Sequence, residues 1–360
     1  MRKKLLIMIG VIAIAALAFV AMRPAYLSSD ARPVITIGAI LPLSGNNAVI
    51  GTSARSGIIM ALEKINSNPD NRYRYRVVIE DGFDAARGIV VYEKLRNVDR
   101  IDVLLSGNAA MGHALRDRVR RDEILHISLS ADYAVSDNES TFNHNSDLDS
   151  VSRQLAGYLK QRGFETISLV SFQHLAGEAV MRALTPELET AGIRIVGTER
   201  LSPAERQFRQ EAARVVATNP DVVMMYTYEP ILSLFARELR QQGFRGRITT
   251  LYLFAFTPDK TLFNDDFFVD IPSGTEEFAE KYAVRFGGRV ADASAALSFD
   301  NVMIIHRLFE KYGRDTTNLR ERLLGIIAEY DGINGRLSMN DKGTIFPGSI
   351  IRYIKDGEIK

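Results

Sequence analysis

From Val34 to Leu43 the chain is a run of apolar and β-branched residues that breaks at Ser44-Gly45-Asn46-Asn47. Apolar residues then recur at Ile58, Ile59, Ala61, Leu62 and Ile65. The first run predicts a strand buried on both faces and the tetrapeptide a turn. The later spacing of three and four predicts a helix with one apolar face. The same alternation continues, with strands predicted at Tyr75–Asp81, Ile101–Ser106 and Ile124–Ser130 and helices at Ala85–Asn97 and up to about Arg121. It then restarts. Helices over Ser150–Arg162, Glu178–Ala191, Ala204–Thr218 and Ile231–Gln242 lead to strands at Ile167–Phe172, Ile193–Thr198, Asp221–Tyr228 and Ile248–Phe254. Short apolar runs alternating with helical segments are what a parallel α/β sheet requires. Two successive sets predict two Rossmann-like lobes with a cleft between them, joined near the polar stretch Asp137–Asp147. The last third reads as helices Thr275–Phe286, Ala291–Tyr312 and Leu319–Glu329, followed by a closing strand at Ser349–Ile354.

In open α/β sheets ligands sit beyond the carboxyl ends of the strands. The loops there are Ser44–Asn47, Gly107–Ala110, Ser130–Tyr133, Tyr226–Glu229 and Tyr252-Leu253-Phe254. Each could be a plain turn, and Tyr252 and Phe254 could be core packing. Five strand ends meeting at one cleft is what favours a binding role.

The N-terminus changes the picture of where the protein works. Arg2-Lys3-Lys4 precedes 18 uncharged apolar residues, Leu5–Met22. A basic head and an apolar run form an export signal. The run exceeds the ~7–15 residues of a signal-peptide core and falls within the ~17–25 that span a bilayer. Residues 1–31 therefore read as a signal peptide or an inner-membrane anchor, with the remainder periplasmic or extracytoplasmic. The net charge of +1 includes a surplus of three in that segment, so nothing in the body favours nucleic acid. There is no cysteine, which excludes disulfides, thiolate metal sites and a lipidated cysteine.

An enzyme is not indicated. No Gly-x-Ser-x-Gly, Gly-x-Gly-x-x-Gly or Gly-Lys-Ser/Thr sequence is present, and the five histidines show no metal-ligand spacing. His126, inside an apolar strand, reads as a hydrogen-bonded core residue, and the other four as surface or structural. No cofactor and no metal are expected.

Leu43-Ser44-Gly45, Gly51 and Glu63-Lys64-Ile65-Asn66, with the tail Tyr330-Asp331-Gly332-Ile333-Asn334-Gly335, resemble the type I periplasmic binding proteins. The likeness is to the branched-chain amino acid (Leu/Ile/Val) receptor group in particular, and covers nearly everything after residue 33. It implies three crossings between lobes, with residues 34–141 plus 256–329 in lobe 1 and 146–251 plus 330–360 in lobe 2. It also implies a solute-binding receptor that presents a small-molecule ligand to an ABC importer permease. The alternative is an anchored regulatory or sensory module serving a membrane sensor protein, without transport.

Carried over residue by residue, the resemblance implies a ligand site at Ser44, Asn46, Asn108, Ala109, Met111, Ser130, Ala131, Asp132, Tyr228 and Tyr252. It also marks departures. The receptors' Ser-Ala-Thr becomes Ser130-Ala131-Asp132, an earlier Ser becomes Met111, the lobe 2 acid falls near Tyr252, and two aromatic positions become Ile50 and Ala176. These changes weaken a carboxylate site and remove the partner of an ammonium. The expectation is a ligand other than a conventionally held free amino acid. Asp132 would suit a cationic, amide or hydroxyl group, and Met111, Ile50 and the aromatics an apolar portion.

Overall fold

The computed structural model describes residues 32–82 and 84–360; the predicted signal or anchor in residues 1–31 lies outside them. Among the described residues no helix is long and apolar enough to cross a membrane.

The strands are β1 (Val34–Leu41), β2 (Arg74–Asp81), β3 (Val103–Ser106), β4 (Leu125–Ser128), β5 (Thr141–His144), β6 (Thr166–Phe172), β7 (Arg194–Leu201), β8 (Val222–Tyr226), β9 (Arg247–Thr249) and β10 (Phe267–Asp270). After two residue pairs, β11 (Asp331–Gly332) and β12 (Gly335–Arg336), come β13 (Ser338–Met339), β14 (Thr344–Phe346), β15 (Ile350–Lys355) and β16 (Glu358–Ile359). The helices are α1 (Ala48–Asn66), α2 (Ala85–Lys94), α3 (Ala109–Arg121), α4 (Leu148–Gln161), α5 (Leu175–Ala191), α6 (Arg209–Ala217), α7 (Ile231–Gln241), α8 (Glu276–Arg285), α9 (Ala293–Tyr312) and α10 (Leu319–Ala328).

One sheet has the order β13-β14-β5-β4-β3-β1-β2, parallel except for β13. The other runs β7-β6-β8-β9 in parallel. A bridge from Leu251 to Val269 extends it to β10, which pairs antiparallel with β15. Each sheet has its own large apolar core. The chain passes between them at 145–147, 271–275 and 347–349.

All of β1 except Val34 is buried, as its unbroken apolar character predicts for a central parallel strand. Helix starts are set by side-chain caps. Asp84, Asn108, His174, Thr275 and Asp292 each accept the N–H three residues on, satisfying one of the amides a helix leaves without a partner.

The pairing departs from the expected boundaries. Residues 338–346 join the first sheet, and 267–270 pair with the strand that closes the second. The stretch read as a polar connection contains β5, whose four residues are all buried. Polar residues are tolerated there because they are partnered. Asn143 exchanges hydrogen bonds with the Ser130 backbone at 3.1 and 2.9 Å, and His144 Nδ1 lies 2.6 Å from Asn301 Oδ1. His126 is the core histidine expected: its ring meets Ser106 Oγ at 2.8 Å and Thr141 Oγ1 at 3.2 Å, and burial pushes its pKa down to about 3. The strand expected over Ile248–Phe254 ends at Thr249, since Leu253–Phe256 coils into a 3₁₀ turn.

Burial pushes the carboxyls of Asp266 and Asp270 up to about 7. Asp266 has Arg240 at 3.1 Å, whereas the Arg352 Nε beside Asp270 is 4.0 Å away. A carboxyl raised in the folded state holds its proton there while the unfolded chain has lost it. Its stabilisation is complete below the ordinary ~4 and is lost as pH rises through about 7. His126 and His144, held down by burial, act with the opposite sign in part of this range. The informative quantity is therefore a difference. Asp270→Asn is expected to gain stability relative to wild type between about pH 4 and pH 7, measured by urea melts of both proteins. A constant gap across that range would show that Asp270 is ionised throughout.

Candidate functional site

A cavity of about 280 Å³ lies where the carboxyl ends of the two sheets face each other. The first sheet's side contributes Pro42, Asn47 and Ile50 after β1, Gly107–Ala110 after β3, Leu129–Ala131 after β4, and the start of α9 at Ala293, Ser294 and Leu297. The second contributes His174–Ala176 after β6, Tyr226 and Tyr228 at β8, and Tyr252, Leu253 and Phe256 after β9. Asn145 and Ile271 come from two of the crossings.

Of the residues expected at the site, Asn108, Ala109, Ser130, Ala131, Tyr228 and Tyr252 line this cavity. Ser44, Met111 and Asp132 do not, and the side chain of Asn46 lies outside the described portion. Ser44 is exposed and its hydroxyl donates to Asp81 Oδ2 at 2.6 Å, while Leu43 N–H takes Oδ1 at 2.8 Å. Asp81, at the end of β2, thus closes the β1–α1 turn and draws Ser44 away. Met111 is fully buried in a third, smaller core on the other face of the first sheet. It fills space that Gly82 and Gly88 leave open, since a Cβ on either would lie 2.9 Å from a Met111 side-chain atom. An α-helix turns 100° per residue, so Ala109 can face the cavity while Met111 faces the core.

Asp132 is buried behind the cavity lining. Its Oδ2 meets His113 Nε2 at 3.0 Å, its Oδ1 accepts Ala134 N–H at 3.1 Å, and Arg182 of α5 approaches to 3.6 Å. Burial would raise this carboxyl, but the His113 hydrogen bond, the Ala134 amide and the charges of His113 and Arg182 outweigh it and hold the pKa below the usual value. The substitution that looked like a ligand-charge signal is an internal ion pair. Among the described residues no Asp, Glu, Lys or Arg lines the cavity.

What lines the second side is aromatic. Tyr226 packs edge-on against Tyr228 and Tyr252, with centroids 6.0 and 6.1 Å apart, and its hydroxyl lies 3.2 Å from that of Tyr252. Tyr228 stacks on His174 at 5.8 Å and 20°, with Phe172 behind both. Burial raises all three tyrosine hydroxyls, so they are neutral groups here. Tyr252 holds φ at 50°, a left-handed conformation that costs a non-glycine residue about 1–2 kcal/mol; its amide donates to Val269 O at 2.7 Å. The Ser130 hydroxyl is engaged locally, donating to Asp132 O at 3.2 Å and accepting Asp132 N–H at 3.0 Å.

The sequence marks His174 as a structural histidine and does not single out Asn145, Phe256, Ser294 or Leu297, all of which line the cavity. For His174 a signal existed: it ends the loop after β6, the counterpart of Asn108 after β3. For Asn145 and α9 none did, because their places depend on how the lobes face each other. Among the described residues no three His, Cys, Asp or Glu side chains gather into a metal-ligand set.

Two α/β lobes with a cavity between the carboxyl ends of their sheets are the architecture of a solute-binding protein. The chain belongs to the periplasmic binding protein family, whose sequence model matches residues 34–358. That family consists of substrate-binding receptors. The leucine-, isoleucine-, valine-, threonine- and alanine-binding protein of Pseudomonas aeruginosa is 24% identical over 226 residues, and the match spans 61% of this chain and 60% of that relative. A branched-chain amino acid transporter substrate-binding protein of Streptococcus pneumoniae, solved with isoleucine, superposes with a TM-score of 0.81 at 14% identity, covering 91% of this chain and 98% of the other. A solute-binding protein of an ABC transporter from Rhodopseudomonas palustris, solved with 3,4-dihydroxybenzoic acid, does so with a TM-score of 0.78 at 14% identity, covering 91% and 95%.

Proposed function

We propose that the chain is an extracytoplasmic receptor whose lobes, residues 34–144 plus 275–346 and 148–271 plus 350–360, close on a small molecule and present it to the permease of an ABC importer. The observation that carries this reading is the cavity between the two sheets, lined by strand-end loops from both. Only a ligand touching both lobes at once favours the closed state over the open one. Asn108, Ala109, Ser130 and Ala131 are its proposed contacts on one side, Tyr228 and Tyr252 on the other.

The ligand in this reading is not a conventionally held free amino acid. A bound ammonium needs a carboxylate partner once it leaves water. Among the described residues the cavity lining offers none, and Asp132 is committed to His113 and Arg182. Of the ligands in the two solved neighbours, isoleucine carries an ammonium and 3,4-dihydroxybenzoic acid does not. A charge-free, tyrosine-rich lining supports the second kind. A thermal-shift screen against a broad metabolite panel tests the reading. A true ligand at a hundredfold over its dissociation constant is expected to stabilise the protein by about 2.7 kcal/mol. A melting curve unmoved by every compound would remove the receptor role.

A further inference from the structure

Asp132 and Arg182 belong to different lobes. Asp132 follows β4 of the first sheet, and Arg182 stands on α5, which buries Met181, Ala183 and Leu184 in the second core. Their approach, Arg182 Nη2 to Asp132 Oδ1 at 3.6 Å, spans the gap between the lobes beside the cavity. Neither residue lies on a crossing, so a hinge motion at 145–147, 271–275 and 347–349 pulls them apart. Asp149 and Lys342 also join the lobes, at 2.6 Å. They sit close to two of the crossings, however, and move little as the hinge turns.

Each partner of the first pair is provided for when the lobes part. Within its own lobe Asp132 keeps His113 Nε2 at 3.0 Å on one oxygen and the Ala134 N–H at 3.1 Å on the other. With its pKa held below the usual value, the carboxylate is ionised at pH 7. The Arg182 side chain is 56% exposed, and among the described residues no other carboxylate lies within ion-pair distance of it. Its guanidinium keeps much of its water on closing, so the pair avoids most of the desolvation that makes buried ion pairs costly. At 3.6 Å the contact is an attraction between charges rather than a short, directed hydrogen bond. The other interlobe packing nearby is apolar, with Ala131, Ala293 and Leu297 of the first lobe buried against the second core.

We propose that Asp132 and Arg182 form an interlobe latch that populates the closed state before any solute arrives and tunes affinity from outside the cavity. Contacts that the protein makes across the gap shift the same open–closed equilibrium that a ligand shifts. The apparent dissociation constant is the intrinsic one divided by the fraction of molecules already competent to bind. Weakening the latch therefore weakens every ligand by a common factor and leaves their order unchanged. Arg182 is a positioning residue in this scheme. The inference deepens the receptor reading and rests on it for the hinge.

The test needs no ligand. The chain has no cysteine, so Val90→Cys on α2 and Thr190→Cys on α5, both at exposed positions, take one spin label each. Double electron–electron resonance then reads the distance between the lobes. The labelled parent is compared with the same protein carrying Arg182→Gln or Arg182→Lys, in dilute buffer and at about 1 M salt, where the screening length is about 3 Å. Both changes fall on an exposed helix position and leave the core untouched. In dilute buffer Arg182→Gln is expected to lower the ratio of short to long distances by about two- to fivefold, the scale of an ion pair with an exposed partner. Arg182→Lys, which keeps the charge, should stay with the parent, and at high salt the parent should come to match Arg182→Gln. One distribution shared by parent and Arg182→Gln in dilute buffer would overturn the latch. So would a shift that Arg182→Lys shows equally, or one that salt does not reproduce in the parent. The receptor reading is judged separately, by the thermal-shift panel, and fails if no compound moves the melting curve.

Discussion

Gly57→Ala is expected to destabilise the protein by roughly 2 kcal/mol and to weaken solute binding with it. On helix propensity alone the change would favour alanine by about 1 kcal/mol, because glycine costs entropy inside a helix. The packing decides otherwise. A Cβ on Gly57 would stand 2.0 Å from the carbonyl oxygen of Ala295 and 2.8 Å from its carbon. That obstacle is backbone, which no rotamer change removes, so α9 has to slide off α1. The start of α9 supplies Ala293, Ser294 and Leu297 to the cavity, so the same displacement disturbs the site. Urea denaturation of Gly57→Ala and its solute affinity are the measurements. A variant as stable as wild type would mean that the two helices do not meet through backbone at this point.

The second large effect is expected at Asp300. This fully buried carboxylate accepts from the Tyr330 hydroxyl, from Ile333 N–H at 3.1 Å, and from Asn334 N–H and Nδ2 at 3.3 and 2.8 Å. Burial raises its pKa. Those four donors fasten the turn at 330–335 to α9, and the chain then continues to β13 and β14 at the edge of the first sheet. Gly332 is needed for the approach, since a Cβ there would lie 2.7 Å from Asp300 Oδ1. Asp300→Ala strands several buried donors at once, each at a cost of about 1–3 kcal/mol. The expected loss is at least about 3 kcal/mol, against about 1 kcal/mol for Tyr330→Phe, which removes a single bond. Unfolding midpoints of the two variants should rank in that order; equal midpoints would mean that one bond carries the whole attachment.

The two lobes were legible in the sequence because parallel strands buried on both faces leave an unmistakable apolar signature, as in β1, β6 and β8. The strand-end loops were legible for the same reason: once strand and helix alternate, the site must lie at the carboxyl ends. Six of the ten expected residues line the cavity on that argument. Met111 and Asp132 misled because sequence spacing says which loop a residue occupies, not which way its side chain turns. One is core filler opposite two glycines; the other answers to His113 and Arg182. β5 was read as a connection because Asn143 and His144 look like surface residues until Ser130 and Asn301 supply their partners.

The sequence by itself determined that this chain folds as two α/β lobes and holds none of the Gly-x-Ser-x-Gly, Gly-x-Gly-x-x-Gly or Gly-Lys-Ser/Thr motifs. These follow from patterns that repeat locally along the chain. Tertiary structure alone decided that no charged side chain among the described residues lines the cavity, that His174 enters it, and that the tail returns to the first sheet. Each of these depends on contacts between residues far apart in the chain, and a hydrogen bond or a close approach across a fold leaves no trace in local spacing.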